Sequence, residues 1–95
     1  MKVGTVTITG RLLDVDTFAD IEQTPIYLNG VIAAVTDEDG RYTINVPPGE
    51  YRLEIRPREF HYLIRDVVVT SDGRIIDKLT GKPVKKTLQL VRATL

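Results

Sequence analysis

The sequence contains no cysteine and no tryptophan, so it can build neither a disulfide scaffold nor a thiolate metal site. It has one histidine, His61, and one serine, Ser71. Neither lies in a recognisable nucleophile motif, no serine stands near His61 in sequence, and there is no cysteine to serve as nucleophile. No catalytic residue is therefore assigned, and His61 is expected to pack at a half-exposed position. Apolar runs are only a few residues long, which excludes a membrane-spanning helix. No apolar h-region follows Met1-Lys2-Val3-Gly4-Thr5. Two settings fit that start: a cytoplasmically assembled particle, or an excised domain of a secreted or surface protein. The formal net charge is zero, from 13 basic and 13 acidic side chains, which argues against a general polyanion binder.

What the sequence does have is β-formers. Val, Ile and Thr supply 31 of the 95 residues and alanine only four, a balance that suits pleated strands better than helices. Apolar residues alternate with period two along most of the chain, and no window holds helical spacing over three turns. An all-β domain is expected, and 95 residues suffice for one domain that buries roughly 60–65% of its unfolded surface.

Turn chemistry divides the chain. A first strand spans Val3 to Leu13, with Val6, Ile8, Gly10 and Leu12 on one face. The acidic stretch Asp14 to Thr24 reads as a loop closed by Pro25. Ile26-Tyr27-Leu28 is a short strand before Asn29-Gly30, a strong hairpin signal. Asp37-Glu38-Asp39-Gly40 is a turn with Gly40 at positive φ, and Arg41 to Val46 alternates cleanly after it. Pro47-Pro48-Gly49 reads as a type II turn, followed by a strand through Tyr51, Leu53 and Ile55. Pro57 ends that strand, and Arg58 to Ile64 forms a bulky connection. Val67-Val68-Val69 fits a buried strand. Past the turn Ser71-Asp72-Gly73, Arg74–Asp77 and Val84–Val91 are expected to add a hairpin or a strand. The total is seven or eight short strands, the pattern of a small antiparallel sandwich.

Thr36 to Ile44, together with Val46-Pro47-Pro48-Gly49-Glu50-Tyr51-Arg52-Leu53, resembles the core signature of carboxypeptidase regulatory-like domains. Thr9-Gly10-Arg11-Leu12-Leu13-Asp14 and Thr24-Pro25-Ile26 resemble that family's first strand and its entry to the second. The likeness runs from Val6 to Thr70. It implies a transthyretin-like (prealbumin-like) Greek-key sandwich, related to Cna B-type domains, and an auxiliary role in protein contacts. Two departures stand out. The connection between the first two strands is longer and more acidic than the family's short turn. Beyond Thr70, Gly73-Arg74-Ile75-Ile76-Asp77 echoes Gly10-Arg11-Leu12-Leu13-Asp14. The echo reads as one turn chemistry used twice, or as an ancestral duplication or a strand lent to a neighbouring copy. The transthyretin-like fold also hosts a purine-catabolic hydrolase, but its His/Arg set and C-terminal tetrapeptide are not matched by Arg92-Ala93-Thr94-Leu95.

Several binding chemistries remain to be weighed. Asp14, Asp16, Asp20 and Glu22 are the carboxylates nearest to a calcium set, yet the EF-hand glycine and glutamate positions hold Ala19 and Pro25. No metal or cofactor is therefore assigned. Asp37 and Asp39 read as turn formers. Isopeptide bonding, known in Cna B-type relatives, would need a partner for Lys2, and the final strand offers no asparagine. Carbohydrate binding would rest on Tyr27, Phe60 and Tyr62 alone. The neutral total conceals an asymmetry. Residues 1–50 carry three basic and eight acidic side chains, net −5, and residues 51–95 carry ten and five, net +5. A basic segment with interleaved aromatics suits single-stranded nucleic acid, but strands of a sandwich interleave the two halves, so nucleic acid is not the expected partner. The expected function is a non-catalytic structural or protein-interaction module, either self-associating or part of a larger extracellular or phage-tail-like assembly. Its contact candidates are Arg56, Arg58, Phe60, His61, Tyr62 and Arg65.

Overall fold

A computed structural model describes residues 4–93; Lys2, Val3, Thr94 and Leu95 lie outside them. Two sheets face each other and contain no helix among the described residues. The strands are β1 (Val6–Asp14), β2 (Pro25–Leu28), β3 (Val31–Val35), β4 (Arg41–Val46), β5 (Gly49–Ile55), β6 (Leu63–Val69), β7 (Ile75–Asp77) and β8 (Thr87–Leu90). One sheet has the order β4-β1-β8 and the other β3-β2-β5-β6-β7. The all-β sandwich expected from alternation is the fold observed. Between the sheets lies one core, built from Ile8 and Leu12 of β1, Ile26 of β2, Tyr42 and Ile44 of β4, Leu53 and Ile55 of β5, and Val67 and Val69 of β6. These are the inward phases of their strands, because successive side chains point to opposite faces.

The structure corrects the reading in four places. The sandwich is not wholly antiparallel, since β8 runs parallel to β1, with Arg11 opposite Thr87 and Asp14 opposite Leu90. Ile75–Asp77 and Thr87–Leu90 form no hairpin, because they belong to different sheets; Ile76 and Pro83 meet only in an isolated bridge. The sixth strand begins at Leu63, because Leu63–Asp66 pair with Arg52–Ile55. Gly49 is not the left-handed corner of a type II turn. Its φ of 157° is near fully extended, and it already pairs with Val69 as the first residue of β5.

The other turns follow from sequence. Asn29 and Gly30 have φ of 53° and 80°, the two positive values that a two-residue hairpin with right-handed strand twist requires. Asp37 accepts the amide N–H groups of Asp39 and Arg41 on Oδ1, both at 2.9 Å. The echo resolves into one turn formed twice. Asp14 Oδ1 accepts from the amides of Asp16 and Thr17, and Asp77 Oδ1 from those of Leu79 and Thr80. Four residues on, the amides of Phe18 and Gly81 donate to the Asp14 and Asp77 carbonyls, at 2.9 and 2.8 Å. Both fourth positions have positive φ, 59° at Phe18 and 72° at Gly81. An aspartate at a strand end captures the next turn in each case.

A buried polar contact fixes the start of β2. Thr36 is 1% exposed; its hydroxyl donates to the Ile21 carbonyl and accepts the Thr24 amide, both at 2.9 Å. Backbone groups of a loop that would otherwise be buried unpaired are thereby satisfied.

Candidate interaction surface

The two outward faces differ in chemistry. Cross-strand partners share a face, so register alone assigns their side chains. On the three-stranded sheet, Thr9 pairs with Thr43, Thr7 with Asn45 and Arg11 with Arg41, a polar surface. On the five-stranded sheet, one row crosses four strands, from Ile32 to Tyr27, to Glu54, to Ile64. Ile32 is 55% exposed and Ile64 45%, whereas Leu28 beside Tyr27, and Leu53 and Ile55 beside Glu54, face the core.

Arg56 and Tyr62 join that row. The Arg56 guanidinium lies 5.7 Å from the Tyr27 ring centroid, within cation–π range, and 2.5 Å from Glu54 Oε2. The Glu54 hydrogen bond raises the Arg56 pKa above its ordinary value, its charge adds to that, and Tyr27 and Tyr62 contribute smaller amounts in the same direction. Tyr62 is 64% exposed and directly precedes β6.

The remaining candidates are dispersed. Phe60 forms an isolated bridge with Arg92, and the His61 amide donates to the Val91 carbonyl at 2.8 Å. Both residues therefore hold the chain's last described segment. Phe60 is half-buried against the core, with the Arg92 guanidinium 4.9 Å above its ring. Arg65 shares the register of Leu53, on the opposite face of the sheet from Ile64, and lies 3.9 Å from Asp77. Arg58 is exposed on the rim of an open cleft of about 390 Å³ lined by Asp14, Asp20, Glu22, Glu59, Phe60 and Arg92.

That cleft also shows how the acidic loop is used. Asp14 is 1% exposed, with Oδ1 on the Asp16 and Thr17 amides and Oδ2 3.1 Å from Arg92. Asp20 lies 2.5 Å from Arg11, while Asp16 and Glu22 are exposed. Among the described residues no cluster of three or more His, Cys, Asp or Glu groups is placed to hold a metal ion.

The Asp16 amide is the main cause holding the Asp14 carboxyl below its ordinary pKa; burial opposes it, and the Thr17 amide and Arg92 reinforce it. Asp72 is lowered as well, chiefly by the Thr70 hydroxyl. A carboxyl with a depressed folded pKa adds stability above its unfolded value, near 3.9, and loses that contribution as pH falls through the folded value. The melting temperature should therefore fall with acidification below about pH 4. Asp14→Asn should lower it most near neutrality, with the gap to wild type closing in acid. A gap of equal size at both ends, in paired melts, would contradict this role for the charge.

Four arginines of the second half pair with acids of that same half: Arg52 with Asp66, Arg56 with Glu54, Arg65 with Asp77 and Arg74 with Asp72. Lys78 reaches Glu50, and Arg92 reaches Asp14, across the two halves.

No protein-family model and no curated protein matches the sequence.

Sequence reasoning found Arg56 and Tyr62, and weighed Tyr27 as an outward aromatic for carbohydrate, but did not find Ile32 and Ile64 beside them. Alternation carried the signal for Tyr27, between inward Ile26 and Leu28. The pairing that aligns it with Ile64 was not legible.

Proposed function

We propose that this protein is a non-catalytic β-sandwich module that works by protein contact, with the outer face of the five-stranded sheet as its contact surface. The carrying observation is the row Ile32–Tyr27–Glu54–Ile64, flanked by Arg56 and Tyr62. Aromatic residues and arginine are the side chains that protein interfaces concentrate, and here two exposed isoleucines, Ile32 and Ile64, flank them. The residues from Thr36 to Leu53 support kinship with carboxypeptidase regulatory-like, transthyretin-like domains, whose auxiliary role fits an appended domain or small subunit of an extracellular or phage-tail-like assembly. His61 and Ser71 lie on separate connections, which supports a non-catalytic reading.

The test is site-specific photo-crosslinking in cells that make the protein, with the reactive side chain at Ile64, at Tyr62 or, as control, at Thr43 on the opposite sheet. The expected result is one protein adduct shared by Ile64 and Tyr62 and missing from Thr43. Equal adduct patterns at all three positions would overturn the reading. So would perturbation of the tyrosines by simple sugars with no protein adduct, which would make this a carbohydrate-binding face.

A further inference from the structure

We infer that a second copy of this chain docks along β3, continuing the five-stranded sheet antiparallel across a two-fold axis. The inference rests on the contact-module reading and names its partner. An open sheet edge presents unpaired N–H and C=O groups, and natural proteins protect such edges with charge, proline or shortness. Among the described residues the two sheets have four edges, and three carry those devices. β4 starts at Arg41 and runs into Pro47-Pro48; β7 has three residues and ends at Asp77, just before Lys78; β8 follows Lys85-Lys86. β3 is Val31-Ile32-Ala33-Ala34-Val35, with neither charge nor proline; its one protecting device is the bulge at Ala33. Val31, Ile32 and Val35 are 69%, 55% and 49% exposed.

Register points to the same chain as the occupant. Ile32 pairs with Tyr27 and Val35 with Pro25, and Ala33 is the extra residue of a bulge between them. In a regular strand, residues three apart face opposite ways; the bulge sets Ile32 and Val35 on one face, beside the Tyr27 row. A two-fold axis between Ala33 and Ala34 then places Ile32 of each copy against Val35 of the other, with the two small alanines at the axis. This is an isologous contact, closed at two copies. Charge agrees with the antiparallel sense. The acidic turn Asp37–Asp39 at the end of each β3 then lies beside the other copy's uncharged Asn29-Gly30 turn. A parallel arrangement would bring the two acidic turns together.

Sedimentation equilibrium of the wild type should give twice the 10.7 kDa chain mass at high concentration, and Val35→Lys should return it to a single chain with an unchanged far-UV spectrum. The chain has no native cysteine, so oxidised Ile32→Cys/Val35→Cys should form a covalent dimer that neither single variant forms. A wild type monomeric throughout, a dimer indifferent to Val35→Lys, or a double variant that stays uncrosslinked would each overturn the inference. A heterologous adduct from Ile64 with a monomeric wild type would remove the second copy while leaving the contact module standing.

Discussion

Gly10→Ala is expected to be the most damaging single-methyl change in the protein, costing about 3 kcal/mol or more from overpacking and lost hydrogen bonding. Gly10 stands opposite Tyr42 in the β1–β4 register. A Cβ there would overlap the Tyr42 ring and hydroxyl and the Lys86 carbonyl oxygen. Tyr42 is 3% exposed, and its hydroxyl donates to that carbonyl at 2.6 Å. Burial pushes the phenol pKa up to about 12, so it stays a neutral donor. The same carbonyl accepts the Arg11 amide at 3.1 Å, at the point where β8 joins β1. One added methyl therefore presses on a core side chain and on the seam of the three-stranded sheet together. Denaturant unfolding of Gly10→Ala in wild-type and Tyr42→Leu backgrounds is the check. The penalty should shrink where the ring is gone, because residues in contact are energetically coupled. An equal penalty in both backgrounds would refute the overlap as its cause.

Gly40→Val is expected to cost about 2–4 kcal/mol, combining a left-handed backbone imposed on a β-branched residue with a steric conflict. Gly40 has φ 70°. A Cβ there would stand 2.8 Å from the Leu12 carbonyl oxygen and 3.1 Å from the Ile21 nitrogen. Those two atoms already bond to each other at 3.0 Å, and the Gly40 carbonyl accepts the Leu12 amide at 2.9 Å. The turn thus pins the acidic loop to β1. Gly40→Asn separates the two contributions, since asparagine tolerates the left-handed region but carries the same Cβ. It should recover only part of the loss. Full recovery in thermal melts would mean that φ alone matters, and no loss in Gly40→Val would refute the turn.

The two glycines differ in how visible they were. Gly40 follows Asp37-Glu38-Asp39 and precedes an alternating strand, so turn chemistry identified it. Gly10 sits mid-strand with nothing local to mark it. Its role depends on Tyr42, 32 positions away, and on Lys86 beyond that. The candidate surface divides in the same way. Arg56 and Tyr62 were read from a basic, aromatic stretch. Phe60 and His61 came from the same stretch, but the backbone pairs them with the segment that carries Arg92. Asp14 was weighed as a calcium ligand, yet its oxygens are taken by two amides within three residues and by a guanidinium 78 positions on.

The starting absences keep their force. Without cysteine or tryptophan, and with one histidine and one serine, the amino-acid order by itself determined an all-β chain with its turns at Asn29-Gly30, Gly40 and Gly73, and most inward-facing residues. Those properties come from local sterics and period-two burial, which act over a few residues. Only the tertiary structure decided that β8 lies parallel to β1, that Lys78 and Arg92 reach across to Glu50 and Asp14 of the acidic half, and that Ile32, Tyr27 and Ile64 share one open face. Each of those depends on strand order and register, and these are set by long-range packing of the two sheets around a single core.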